Sequence, residues 1–143
     1  MSDVPPDPLP YVRYWETLTR DNVGALRALA APEMRFVDPF NDIVGLERVV
    51  AMLAHMFDAL DEPRFVVLDR ASSDHAWYLR WRFTARLKRR ATPWIIEGMS
   101  EVHFDATGRV TAHLDHWDSG SQFYARLPGL GWLIRFIARR LAA

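Results

Sequence analysis

Apolar positions along the chain follow a helical period up to about residue 60 and a period of two from residue 64. Tyr11, Tyr14, Trp15 and Leu18 recur at helical spacing and give a first helix one apolar face. Asp21 or Asn22 is placed to cap a second helix, with Val23, Leu26 and Leu29 inward and an end near Pro32. Met34 to Val37 then reads as a short strand. It stops at Asp38, because Pro39 biases the residue before it towards extended backbone and cannot continue a ladder. After Gly45, the stripe Leu46, Val49, Val50, Leu53, Phe57, Leu60 predicts a third, longer helix ending before Pro63.

Beyond Pro63, Arg64 to Arg70 sets Phe65 and Val67 against Val66 and Leu68, and Ala71 to Asp74 reads as a turn. Trp77 to Lys88 alternates Trp77, Leu79, Trp81, Phe83 with Tyr78, Arg80, Arg82, Thr84, which predicts a long strand with one apolar and one basic face. Trp94 to Phe104 follows, with Ile96, Gly98, Ser100 and Val102 on one side and Glu97, Met99, Glu101 and His103 on the other. Glu97 and Glu101 can then face the arginines across the hairpin. Gly108 supplies the left-handed residue of the next turn, and Arg109 to Trp117 is the last strand. Gly98 in mid-strand is the candidate site of sheet curvature.

Three helices followed by long hairpins describe an α+β domain in which a curved antiparallel or mixed sheet wraps around its helices. A single domain over residues 1–143 is expected, with a loose start at 1–8 and a helical extension at 121–143. In that extension Leu130, Leu133, Ile134, Ile137 and Leu141 form a stripe opposite Arg135, Arg139 and Arg140. It can cover the sheet, pair with a second subunit or lie on a membrane surface, the membrane being the lesser reading. A one-sidedly polar sheet face together with this tail suggests a homodimer.

Of the 143 residues, half are hydrophobic and 13% aromatic, enough for a core without staples. Lys+Arg and Asp+Glu are equal at 18 each, so no global field recruits nucleic acid. Without cysteine there is no disulfide framework, thiol nucleophile or thiolate metal site. The first ten residues lack the basic and apolar regions of a signal peptide, so the expected location is cytoplasmic. No glycine-rich phosphate loop is present, and no cofactor is expected.

Asp38 is the first candidate for chemistry: a carboxylate at a strand end, flanked by Phe36, Val37 and Phe40, has the apolar setting that raises a general base's pKa. The alternative is an Asx-turn, in which Asp38 or Asn41 satisfies local N–H groups. The run from His113 to Asp118 is rich in metal-ligand types. On a strand, however, His113 and Asp115 face one way while His116 and Asp118 face the other, too few on either side for a metal site. His55 lies off the apolar stripe of its helix and reads as solvated.

The order of elements, the Asp38-Pro39 pair, the Gly45-Leu46-Glu47 helix start and the His113 to Asp118 strand resemble the SnoaL-like branch of the nuclear transport factor 2-like superfamily, over roughly Tyr11 to Trp117. The resemblance implies a cone with a pocket closed by helices and lined by the concave face of the sheet. It also implies a range of activities: isomerases, cyclases, epoxide hydrolases and dehydratases, beside binding modules. In the ketosteroid isomerase branch a tyrosine of the first helix and an aspartate before a proline have the separation of Tyr14 and Asp38. The resemblance therefore implies Asp38 as base and Tyr14 as hydrogen-bond donor to the enolate oxygen. Ser100 falls where that branch has a protonated acid, and a serine is a weaker donor. Trp117 falls at an aromatic pocket position, which sends Asp115 and His113 inward with it as acid/base partners. The arginine that the epoxide hydrolases wedge between carboxylates is not evident, because Arg80 and Arg82 alternate with the apolar face.

The expected site thus comprises Asp38, Tyr14, Ser100, Asp115 and His113, in a pocket walled by Trp15, Phe40, Phe57, Trp81, Phe83, Ile96, Val102 and Trp117. Its expected function is cofactor-independent isomerase- or cyclase-like chemistry on a small hydrophobic carbonyl compound. A non-catalytic binding or assembly module of the same fold and an epoxide-hydrolase-like enzyme are the alternatives.

Overall fold

A computed structural model describes residues 5–143 of the chain. Helix α1 (Leu9–Glu16) buries Tyr11, Val12, Tyr14 and Trp15, as its spacing requires. The next segment, Arg20–Ala28, is a 3₁₀ helix instead of an α-helix. Asn22 and Gly24 are weak helix formers, and Asn22 serves at its start in a different way from the expected cap: its Oδ1 accepts from the Thr19 N–H at 2.7 Å. Leu26 is fully buried. Strand β1 (Ala30–Val37) begins four residues earlier than its apolar run suggests and tolerates Pro32 because its pairing shifts register between Ala30 and Arg35. After the short β2 (Asp42–Val44), helix α2 (Leu46–Ala59) packs Leu46, Val49, Val50 and Leu53 inward.

Four further strands follow: β3 (Leu60–Ser72), β4 (Trp77–Leu87), β5 (Trp94–Phe104) and β6 (Val110–His116). Pro63 does not delay β3, since the β3–β4 ladder also shifts register between Asp61 and Arg64 and again between Val67 and Asp69. Together they form one six-stranded sheet in the order β2-β1-β6-β5-β4-β3. All neighbours are antiparallel except β1 and β6, which run parallel. Helices α1 and α2 lie against the inner face, and the core runs from Tyr11 and Trp15 through Met34, Phe36 and Leu53 to Val102 and Val110.

The sheet faces fall as the alternation demands. Trp81, Ile96 and Ser100 are buried inward, while Arg82 bonds Glu97 on the outer face at 2.7 Å and Arg80 lies 3.8 Å from it. Glu101 is an exception to the expected cross-hairpin pairs, bonding His103 at 2.7 Å because Tyr78 stands opposite it. Gly98 is not a bulge: the β4–β5 ladder runs through the Trp81–Gly98 pair without interruption. A Cβ on Gly98 would lie 2.7 Å from the Trp81 indole and 2.8 Å from the Trp117 Cβ, so glycine there makes room for both.

The tail comprises α3 (Ser119–Gln122), a 3₁₀ turn (Tyr124–Arg126) and α4 (Leu130–Leu141). α4 packs on the two short segments before it and does not cover the sheet. Among the described residues no helix is long and apolar enough to cross a membrane. Residues 1–4 of the expected loose start lie outside the described residues; further along it, the Pro6 carbonyl accepts from the Trp77 indole at 2.8 Å.

Candidate functional site

Between the inner sheet face, α2 and the tail lies a cavity of about 360 Å³. Trp15, Phe40, Trp81, Phe83, Ile96 and Trp117 line it, as do the two carboxylates Asp38 and Asp115. Two expected wall residues lie elsewhere. Val102 is fully buried in the core, and Phe57, packed against that core near the end of α2, faces a second hollow beside Glu16 and Arg64. The wall also holds residues the sequence reading did not place there: Met52, Met56 and His55 from α2, Phe65 from β3, Trp94 from β5 and Phe123 from the tail. Met52 and Met56 sit one turn apart beside the apolar stripe, which was the available signal, whereas the exposed His55 lies off it and carried none.

On the floor, a continuous set of hydrogen bonds joins side chains from α1, β4, β5 and β6. The Tyr11 hydroxyl meets His113 Nδ1 at 2.8 Å, and His113 Nε2 meets Asp115 Oδ1 at 2.7 Å. Ser100 Oγ donates to the same Oδ1 at 2.5 Å, and Trp81 Nε1 donates to Ser100 Oγ at 2.7 Å. The sheet register sets this up: Ser100 lies opposite Asp115, His113 opposite Val102, and Trp81 diagonally across from Ser100. Burial pushes the Tyr11 phenol well above its ordinary range; the Trp15 N–H works against that shift and the Asp115 charge adds to it. Tyr11 therefore stays protonated, and a neutral imidazole satisfying both contacts accepts at Nδ1 and donates from Nε2. Phe36 stacks on the His113 ring with centroids 5.0 Å apart. Asp115 Oδ2 makes no hydrogen bond among the described residues, so one oxygen of this cavity-lining carboxylate is fixed and the other is unengaged. The Trp15 Nε1 is buried without a well-formed hydrogen bond.

Asp38 is held in the Asx-turn that was the alternative reading. Its Oδ1 accepts from the backbone N–H groups of Phe40 and Asn41, both at 2.7 Å, and from Asn41 Nδ2 at 3.0 Å. Tyr14 does not line the cavity. Its phenol, with a pKa raised by burial, donates to the Val23 carbonyl of the 3₁₀ segment at 2.9 Å. Tyr11, one turn earlier, is the tyrosine joined to the floor. Ser100 also differs from its expected part, since its hydroxyl donates to Asp115 and not to a substrate oxygen. Among the described residues no three His, Cys, Asp or Glu side chains cluster so as to hold a metal ion.

A six-stranded mixed sheet wrapped on helices around an apolar cavity is the nuclear transport factor 2-like cone. The SnoaL-like domain family matches residues 11–113, and the chain belongs to that family. Among solved structures it is similar to a protein of Catenulispora acidiphila DSM 44928 with a ketosteroid isomerase-like fold, crystallised in complex with trimethylamine. That match has TM-score 0.71 at 15% identity and covers 83% of this chain and 91% of that one. An LEH-like epoxide hydrolase of M. tuberculosis matches with TM-score 0.65 at 15% identity, over 87% of this chain and 90% of its own. A protein of Shewanella denitrificans OS-217, provisionally named a SnoaL-like polyketide cyclase, matches with TM-score 0.66 at 16% identity over 82% and 94%. At these identities the likeness establishes the fold. A search of the curated proteins finds no match.

Proposed function

We propose that the chain is a cofactor-independent acid/base enzyme, isomerase- or cyclase-like, in which Asp115 moves a proton on a small hydrophobic carbonyl compound. The observation that carries this reading is the asymmetry of Asp115: Oδ1 receives His113 and Ser100, while Oδ2 is unengaged on a carboxylate that lines the cavity. A base held this way keeps its orientation while it gives and takes a proton. Asp38 is the second carboxylate on the wall, and the apolar lining suits a hydrophobic occupant. Capture of trimethylamine by a protein of the same fold supports small-molecule binding. An epoxide hydrolase needs a cation between its carboxylates, and the cavity lining includes no arginine or lysine among the described residues.

The test is exchange of the α-proton of a panel of cyclic ketones in deuterated buffer. Wild type should exchange a ketone that binds, and Asp115→Asn should not. Equal rates with bound ketone would assign the cavity to a binding module. We also infer a homodimer through the outer sheet face, where Val66, Leu68, Ile95 and Met99 are exposed around Arg82 and Glu97. Light scattering that shows a monomer at tens of micromolar, roughly the range in which a standard interface holds, would refute it.

A further inference from the structure

Among the described residues, half of the large apolar side chains left exposed belong to α4: Leu130, Trp132, Leu133, Phe136, Ile137 and Leu141, each between 41% and 83% accessible. Leu130, Leu133, Ile137 and Leu141 follow one another at helical spacing along a single face. Trp132 and Phe136 stack beside them, with centroids 5.7 Å apart, and Arg140 lies 5.3 Å over the Phe136 ring. The opposite side is anchored: Arg135 Nη1 donates to the Ala125 carbonyl at 2.5 Å, and the Gly131 N–H donates to the Leu127 carbonyl at 2.7 Å. The open face is therefore presented outward by a fixed helix.

From Ser119 to the end the chain carries Arg126, Arg135, Arg139 and Arg140 and no Asp or Glu. We propose that α4 docks on an anionic lipid bilayer, with its leucine and aromatic face in the headgroup boundary and Arg139 and Arg140 on lipid phosphates. Charge decides between this occupant and a second copy. A second α4 carries no carboxylate and so offers Arg139 and Arg140 no counter-charge, whereas a phosphate layer complements them. Aliphatic stems let both arginines keep their heads at the phosphate level while the ring and leucine side chains sink. The same segment supplies Phe123 to the cavity wall, stacked on Trp94 at 4.9 Å, so a docked α4 holds the cavity rim next to the lipid. This inference is independent of the catalytic reading.

The experiment is co-sedimentation of the full chain with sucrose-loaded vesicles, either of equal parts phosphatidylglycerol and phosphatidylcholine or of phosphatidylcholine alone. Wild type should pellet with the first and stay in solution with the second, and binding should fall with added salt. Arg139→Gln with Arg140→Gln should weaken partition roughly thirtyfold, at about fivefold per arginine. Leu133→Glu with Ile137→Glu should abolish it. Both pairs are exposed, so their melting curves should match wild type. Failure of wild type to bind the anionic vesicles overturns the proposal. So does an unchanged partition of the arginine pair, or a dimer that Leu133→Glu with Ile137→Glu dissociates in the absence of any vesicle binding.

Discussion

Asp38 and Asp115 line one cavity but are secured by different means. Asp38 closes a turn on itself, with every partner of its carboxylate within three residues of it. Asp115 is held by His113 on its own strand and by Ser100 on the next, which are tied in turn to Tyr11 near the start of the chain and Trp81 on β4. A carboxylate whose oxygens receive several local N–H groups is occupied as a structural acceptor. One fixed through a single oxygen retains the other for chemistry. The comparison teaches that an aspartate before a proline marked a strand end here, while the carboxylate with a free oxygen is recognised only from long-range packing.

The comparison breaks most sharply by substitution at the two carboxylates. Asp115→Asn should lower ketone exchange by about a hundredfold to ten-thousandfold, the usual contribution of a general base. Asp38→Asn should cost much less, because its main loss is in the turn; reversed magnitudes in the exchange assay would return the base to Asp38. Next comes the space above Asp115. Gly98→Ala forces a methyl into the Trp81 indole and the Trp117 Cβ, and overpacking of this kind costs about 1–3 kcal/mol. A denaturant midpoint unchanged from wild type would show that the two rings yield freely. Tyr11→Phe leaves His113 Nδ1 buried without its donor, worth roughly 1–2 kcal/mol of stability. It should also slow ketone exchange, and by the same factor in wild type and in an Asp38→Asn background.

The smallest effect concerns the frame of the Asp38 turn. Arg35 forks onto Asp42 through two bonds of 2.9 Å and holds that carboxyl below its ordinary value. Because the folded pKa is the lower one, this pair stabilises the fold above the ordinary carboxylate range and ceases to as pH falls through the lowered value. Both groups are exposed, so the protection of the Asn41 and Asp42 amides relative to their intrinsic exchange rate should fall slightly on acidification, and the ion pair's share of that fall should shrink at high salt.

Period and alternation made the helices, the hairpins and the inner sheet face legible, since Trp81, Ile96 and Ser100 can only share a face in one register. The prolines misled at β1 and β3, where register shifts absorb them. The site was legible as a set of residue types, but its wiring was not. Tyr11 and Tyr14 lie on the same helix face, and only the packing of α1 decides which hydroxyl reaches His113 and which reaches the Val23 carbonyl. The outward-facing α4 was visible as a stripe, whereas its separation from the sheet depends on the anchoring of Arg135 and Gly131.

The parallel pairing of β1 with β6 also sets a timetable. Val37, which positions Asp38, lies beside Leu114, next to Asp115, so the two carboxylates become neighbours only when the last strand slots in beside one of the first. During synthesis the nascent chain can build its helices and its long hairpins as they emerge, but no part of the wall between the two acids exists until that final strand has left the ribosome. A truncated product that stops short of β6 would carry every early element and lack Asp115 and the hydrogen-bonded floor of the cavity.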